Sequence, residues 1–158
     1  MEEVTLIELP SLKVLGIRQH GPYRMIPELL SRIFGFVMKN HLTVTGMPMF
    51  LLREESKEKA MEADRTGTAD VEVVVPVTGE APYEAGISSY TLPGGKMARI
   101  IHRGPYETSE LSYQKIFTWI AENGYHVAGP IREIYYNNPQ EVKPEDIMTE
   151  IMVPVEKA

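Results

Sequence analysis

The chain has 158 residues, 43% of them hydrophobic, and a formal net charge of −6. That length and composition suffice for one compact domain with its own core, so we expect a single domain over residues 1–158. The chain has no cysteine, which excludes disulfides and thiolate metal sites. The acidic balance and the scattered Lys and Arg residues argue against direct nucleic-acid binding.

No apolar run in the sequence is long enough to span a membrane, and the chain opens on Met1-Glu2-Glu3, which is unlike a signal peptide. We therefore expect a cytoplasmic protein with no membrane partner. The histidines lack metal-ligand spacing, and the sequence contains no nucleotide-binding motif. We expect neither a metal nor a cofactor.

One sequence pattern occurs twice, and the two copies match without gaps at an offset of 83, counted from Leu9 to Leu92. Self-similarity of this kind indicates a duplicated supersecondary unit. The matching stretches are Leu9-Pro10 with Leu92-Pro93, Gly21-Pro22-Tyr23 with Gly104-Pro105-Tyr106, and Ile33-Phe34 with Ile116-Phe117.

A final stretch, residues 72–77, recurs as residues 150–155 at an offset of 78, so the first copy carries five extra residues late in its length. We expect internal repeats at 4–77 and 87–155 that form one pseudo-twofold domain. The junction between the copies is the natural place for a ligand groove.

Hydrophobic periodicity predicts the same element order in each copy. Two strands come first, then an amphipathic helix, then two more strands. The helix stripes are Leu30, Ile33, Phe34 and Val37, and then Tyr113, Ile116, Phe117 and Ile120. We therefore expect an α+β fold of duplicated strand-helix-strand-strand units, with a helix on one face of each antiparallel sheet. The charged connector 54–69 is predicted to be a solvated, mobile loop that could include a helical turn.

Acidic residues occur in the last strands, where a sheet is expected to bury apolar side chains. Glu150 and Met152 share one face of their strand, and Glu72 takes the corresponding place in the first copy. Glu133 and Tyr135 share a face of the preceding strand, so we expect them to converge with Glu150. These acids are either polar residues on a wet sheet face or carboxylates that hold a cation or act as a general acid.

Three aromatic residues complete the predicted ligand-binding set. Tyr106 follows the second Gly-Pro corner, Phe50 lies in a first-copy strand and Trp119 lies off the main helical stripe. For Trp119 and its equivalent Phe36, packing under neighbouring loops is the alternative. We predict that the three aromatic residues form walls of the main pocket, because binding pockets are mostly apolar with a few converging polar groups.

The repeated Gly-Pro-Tyr corner and two further runs resemble the GyrI-like small-molecule-binding family, the effector-binding domain of AraC-type and multidrug-responsive regulators. These runs are Arg132-Glu133-Ile134-Tyr135-Tyr136-Asn137-Asn138-Pro139 and residues 143–155. The resemblance covers essentially the whole chain. It implies a groove between the copies, aromatic residues that enclose cationic drugs, and an acid on the last strand at Glu150. Glu133 and Tyr135 match the Glu-x-Tyr stretch of the family.

The resemblance leaves three functions open. The first is that of a stand-alone sensor or sequestering protein for hydrophobic, positively charged small molecules. Alternatively, the chain is a hydrolase that opens cyclopropane-bearing DNA-alkylating compounds through Glu150 or Glu133 with Tyr135. The third possibility is a protein-interaction module, with gyrase or a separate regulator as its partner. The sequence carries no helix-turn-helix extension, which speaks against direct transcription activation.

Overall fold

A computed structural model describes residues 3–54, 56–82, 84, 86–138 and 140–158. Several residues that entered the predictions lie outside these ranges: Met1 and Glu2, Glu55 of the predicted loop, and Pro139 of the family motif. None of the helices in the described part of the chain is long and apolar enough to cross a membrane.

The described chain forms ten strands and three α-helices, and all pairings between the strands are antiparallel. The predicted α+β class is confirmed. In chain order the elements are β1 Thr5–Leu9, β2 Leu12–Gly21, α1 Ile26–Lys39, β3 Thr43–Val44, β4 Met49–Leu52, α2 Lys57–Thr66, β5 Ala69–Thr78, β6 Ser88–Leu92, β7 Gly95–Arg103, α3 Glu110–Glu122, β8 Tyr125–Val127, β9 Ile131–Tyr135 and β10 Met148–Lys157. Short 3₁₀ turns occupy Tyr23–Met25, Tyr106–Thr108 and Pro144–Asp146.

The chain divides into two compact units. Unit 2 is Ser11–Leu92, and unit 1 comprises the chain up to Pro10 and from Pro93 onward. In unit 2, β5 pairs with β2, β4 and β3. In unit 1, β10 pairs with β7, β9 and β8.

The strand registers of the two units agree residue by residue at the offsets of the sequence repeat. Glu72 stands opposite Arg18 and Leu51 in unit 2. Glu150 stands opposite Ile101 and Ile134 in unit 1. The offset is 83 up to β4 and β9 and 78 from β5 and β10 onward. The extra residues of the first copy therefore lie in the connector that contains α2.

The compact units differ from the sequence repeats in one strand each. The first strand of the first copy, β1, pairs with β7, and the first strand of the second copy, β6, pairs with β2. Proline at Pro10 and Pro93 explains why neither strand folds back on its successor. A two-residue hairpin turn requires a positive φ at its first central residue, whereas the proline ring holds φ near −65°.

The core face of α1 is rotated from the predicted stripe. Ile33 and Val37 are buried as expected, but Leu29 and Phe36 complete the face. Leu30 and Phe34 are only half-buried. In α3 the buried residues are Ser112, Ile116 and Ile120, whereas Tyr113 is half-buried and Phe117 is 39% exposed. The periodicity located both helices correctly, but each sheet contacts a slightly different side of its helix.

The connector predicted as a loop contains a helix, α2, and that prediction is wrong. The Ser56 Oγ accepts a hydrogen bond of 3.1 Å from the backbone N–H of Lys59, and Gly67 ends the helix with φ 71°. Both are standard helix caps. No described residue of α2 is buried. Its predicted mobility stays a prediction.

Candidate functional site

Antiparallel register separates the predicted acidic residues onto the two faces of the unit 1 sheet. Glu133 stands opposite Ile151, and Glu150 stands opposite Ile134. Directly opposed residues share a face, and α3 packs on the Ile151 face. Glu133 and Tyr135 therefore lie on the α3 face, whereas Glu150 and Met152 lie on the other. The predicted convergence of Glu133 and Tyr135 with Glu150 is wrong.

Glu150 is a buried carboxylate that already has its counter-charge. Its side chain accepts a hydrogen bond from the Nε of Arg99, which forms an ion pair with it. Its other oxygen accepts a hydrogen bond of 2.6 Å from the Tyr136 hydroxyl. Burial, followed by this hydrogen bond, raises the pKa of Tyr136 to about 12. The Tyr136 phenol is therefore a neutral donor at physiological pH.

Glu72 has the same kind of environment in unit 2. One oxygen accepts a hydrogen bond from Arg53, and the other accepts one from the Tyr90 hydroxyl. Burial is the main cause that raises the pKa of Tyr90. Buried carboxylates with such partners have an adequate structural role, because each negative charge is paired and each carboxylate oxygen accepts a hydrogen bond.

Glu133 differs from both, because the hydrogen bonds to its carboxylate come from the neutral phenols of Tyr113 and Tyr135. The Tyr113 hydroxyl, on α3, donates to Oε2, and the Tyr135 hydroxyl, on β9, donates to Oε1 at 3.3 Å. Among the residues that the structure describes, no lysine or arginine forms an ion pair with Glu133.

Tyr113 and Tyr135 contact this carboxylate, and each packs against a further aromatic ring. We call the group the tyrosine cluster: Tyr106, Tyr113, Phe117, Tyr135 and Glu133. Tyr106 and Tyr135 meet edge to face with ring centroids 5.8 Å apart. Tyr113 and Phe117 stack at 6.3 Å. Tyr106 is 38% exposed and Phe117 39% exposed, so the cluster is open to solvent at its rim.

The electrostatics of the tyrosine cluster reflect its partial removal from water. Burial raises the pKa of the Glu133 carboxyl, and the hydrogen bonds from Tyr113 and Tyr135 together with nearby His102 oppose that rise. Burial, and then the charge on Glu133, raises the pKa of Tyr135 well above its usual value. The same two causes raise the pKa of Tyr106. Both tyrosines therefore stay neutral at physiological pH.

His102 lies next to this cluster and connects two of the segments that form it, a role that the sequence analysis missed. It is buried on β7, with Nε2 2.9 Å from the Pro105 carbonyl and Nδ1 3.0 Å from the Ser112 hydroxyl. A carbonyl only accepts, so Nε2 carries the proton toward Pro105. The imidazole thus ties α3 to the corner that carries Tyr106. The sequence feature that could have indicated this role is the position of His102 two residues before the Gly104-Pro105 corner.

The remaining predicted site residues lie elsewhere. Phe50 belongs to unit 2, where its ring meets Tyr23 edge to face at 5.6 Å. It occupies the position equivalent to Glu133 at the offset of 83. Trp119 stacks on Tyr125 at 6.0 Å and lines a cavity of about 430 Å³ with Leu111 and Val4. Within the described ranges, no three His, Asp or Glu residues are placed to share a metal ion.

The chain belongs to the GyrI-like small-molecule-binding domain family, whose model matches residues 2–156. The fold and the polar, ring-lined cluster described above agree with a domain that binds small molecules. A search of curated proteins gave no match.

Solved structures show what the chain is similar to. The crystal structure of the EcmrR C-terminal domain is 28% identical, with a TM-score of 0.84, and the match covers 100% of this chain and 99% of that one. EcmrR in complex with DNA is 27% identical with a TM-score of 0.83, over 99% of this chain and 58% of that chain.

Two more distant structures share the fold. A hydrolase from Listeria innocua is 11% identical with a TM-score of 0.72, over 98% of this chain and 92% of that one. SAV2435 bound to tetraphenylphosphonium is 18% identical with a TM-score of 0.59, over 98% of this chain and 94% of that one.

Proposed function

We propose that this chain binds hydrophobic, aromatic cations and that Glu133 of unit 1 supplies the counter-charge. The observation that carries the proposal is the environment of Glu133. It is the half-buried carboxylate of the tyrosine cluster, and its hydrogen bonds come from the neutral hydroxyls of Tyr113 and Tyr135. A carboxylate held in this way gains from a weakly hydrated cation, which also interacts with the faces of the rings.

Glu150 and Glu72 are poorer candidates for this role, although the sequence favoured Glu150. Each already forms an ion pair with an arginine, Arg99 or Arg53. A ligand cation would have to displace a guanidinium that is covalently attached and correctly oriented. We therefore assign the ligand anchor to Glu133 and a structural role to the other two acids.

The comparisons support the class of ligand. Membership in the GyrI-like family supports small-molecule binding in general. SAV2435, which shares the fold, was solved with tetraphenylphosphonium, a large aromatic cation without N–H or O–H groups. A cation of this kind suits a cluster whose rings outnumber its charged groups. The expected groove between the two copies remains a proposal.

Calorimetric titration with tetraphenylphosphonium tests the proposal. Wild type should bind it, and Glu133→Gln should lose about 1 to 3 kcal/mol of binding free energy, because the substitution removes the charge and keeps the shape. Glu145→Gln is the matched control, since Glu145 is an exposed carboxylate of unit 1. Equal affinities for wild type and Glu133→Gln would reject Glu133 as the anchor.

A neutral ligand of similar shape separates charge from apolar contact. Triphenylphosphine oxide carries three of the four phenyl rings and has no net positive charge. Wild type should prefer the phosphonium, and that preference should shrink in Glu133→Gln. If both proteins bind the two compounds with the same ratio, the rings rather than the carboxylate determine the affinity.

Hydrolysis is the second candidate, and the raised pKa of Glu133 favours it. A carboxyl with a raised pKa is suited to act as a general acid or base, and the Tyr135 hydroxyl lies beside it. Mass spectrometry of a cyclopropane-bearing electrophile after incubation tests this activity. Product heavier by one water, formed by wild type and not by Glu133→Gln, would establish turnover; an intact compound would leave binding as the function.

A further inference from the structure

A buried arginine lies on the other face of the unit 1 sheet, away from the tyrosine cluster. Arg132, on β9, is 5% exposed. One of its terminal nitrogens, Nη2, donates a hydrogen bond of 2.6 Å to the Pro93 carbonyl. The other, Nη1, is buried and has no hydrogen-bond partner among the described residues. No described carboxylate forms an ion pair with Arg132.

The fold itself does not require an arginine at this position. The equivalent residue of unit 2 is Met49, which is also buried and stands opposite Val74 just as Arg132 stands opposite Met152. Methionine fills the same kind of space without a charge. Burying a guanidinium without a counter-charge costs several kcal/mol of folding free energy, so packing alone does not explain an arginine at position 132.

A second guanidinium, that of Arg99, lies on the same face of the sheet, two strands away from Arg132. Met152 stands opposite Arg132 on one side and Arg99 on the other, so the three side chains share a face. Arg99 pairs with Glu150 through its Nε and remains 33% exposed. Together, Arg132, Arg99 and Glu150 carry one net positive charge. The two arginines lie two strand spacings apart, about 10 Å between Cα atoms, a span that their side chains can bridge.

We propose that Arg132 and Arg99 bind an oxyanion on this face, a phosphate, sulfate or carboxylate group. Such a group supplies both things that Arg132 lacks: a negative charge and an acceptor for Nη1. Guanidinium groups bind oxyanions through paired N–H donors, which makes two arginines around one anion a favourable arrangement. The more exposed side chain of Arg99 provides the route from solvent. A bound water would satisfy Nη1 but would leave the charge uncompensated.

Thermal unfolding and equilibrium dialysis with inorganic phosphate test this proposal at constant ionic strength set with chloride. Wild type should bind one phosphate per chain saturably, and its melting temperature should rise with phosphate. Arg132→Met, which installs the residue type found at Met49, should weaken phosphate binding about 10-fold or more. Arg24→Met is the matched control, because Arg24 is an exposed arginine in unit 2; it should behave as wild type.

Two results would overturn the proposal. One is the absence of saturable phosphate binding to wild type by dialysis, a measurement that requires no variant to fold. The other is equal phosphate dependence in wild type and Arg132→Met. Repeating the dialysis with sulfate and acetate determines whether tetrahedral or planar oxyanions bind better. The site lies on the opposite face from Glu133, so this test and the tetraphenylphosphonium titration can fail independently.

Discussion

Glu72 and Glu150 occupy equivalent positions in the two units, and each accepts hydrogen bonds from one arginine and one tyrosine. The donors themselves occupy different sequence positions in the two units. Position 53 in unit 2 is an arginine, and its equivalent in unit 1 is Tyr136. The second partner also changes. Arg99 in unit 1 corresponds to Gly16 in unit 2, and the absence of a side chain at Gly16 leaves room for the Tyr90 hydroxyl. The duplication has kept the buried carboxylate and exchanged its donors.

The space above Gly16 gives the first prediction. A Cβ atom there would lie 2.1 Å from the Tyr90 hydroxyl, so Gly16→Ala should displace Tyr90 and leave an oxygen of Glu72 unsatisfied. We expect a loss of about 1 to 3 kcal/mol in the free energy of unfolding, measured in urea. Gly35→Ala is the control, since nothing lies within 4 Å of a Cβ at that helical position; it should stabilise by about 1 kcal/mol. Equal effects of the two substitutions would contradict this account.

The second prediction concerns Glu150 as a structural acid. Glu150→Gln removes the partner of the Arg99 ion pair while keeping an acceptor for Tyr136. Because Glu150 itself is buried but Arg99 is partly solvated, we expect destabilisation of about 1 to 3 kcal/mol in urea. Glu145→Gln should change stability by less than about 0.5 kcal/mol. Unfolding curves that superpose for wild type and Glu150→Gln would show that this ion pair is dispensable.

The third prediction is that Glu133→Gln, unlike Glu150→Gln, raises the free energy of unfolding, and that this gain depends on pH. The pKa of Glu133 is raised in the folded protein, so the ionised carboxylate disfavours folding. Glu133→Gln should therefore be more stable than wild type above the raised pKa. The advantage should decline as pH falls through that pKa and disappear below about 4.5, the ordinary value for the group, where both states are protonated. Urea unfolding of both proteins from pH 4 to pH 8 measures this difference. A difference that stays constant across the range would refute the raised pKa.

Much of the fold could be predicted from the repeat, because identical patterns at one offset require matching elements. Both core helices and the order of the four main strands in each copy followed from it, whereas the short strands β3 and β8 were not predicted. The strand exchange was not predicted, although Pro10 and Pro93 are the physical reason for it. The helix α2 was missed because its charged residues suggested a solvated loop. Its caps, Ser56 and Gly67, were present in the sequence.

The candidate site was harder to predict, because alternation within a strand does not determine which residue of the next strand stands opposite. Placing Glu133 across from Glu150 requires a register shifted by one residue from the observed one, in which Glu133 meets Ile151. Such a shift moves every side chain of a strand to the other face. The sequence therefore identified Glu133, Tyr135 and Glu150 as unusual residues, but it could not separate the ligand candidate from the structural acid.

The most direct test of the central claim is the pKa of Glu133 itself, followed by ¹³C NMR of its side-chain carboxyl with and without tetraphenylphosphonium. The signal is assigned by its loss in Glu133→Gln. In the free protein the pKa should lie above the ordinary value for glutamate, and saturation with the cation should lower it, because a nearby positive charge favours the ionised form. By linkage, affinity for the cation should fall as pH decreases through the raised pKa. A Glu133 pKa that is the same in the free and the saturated protein would contradict the assignment of this carboxylate as the ligand anchor.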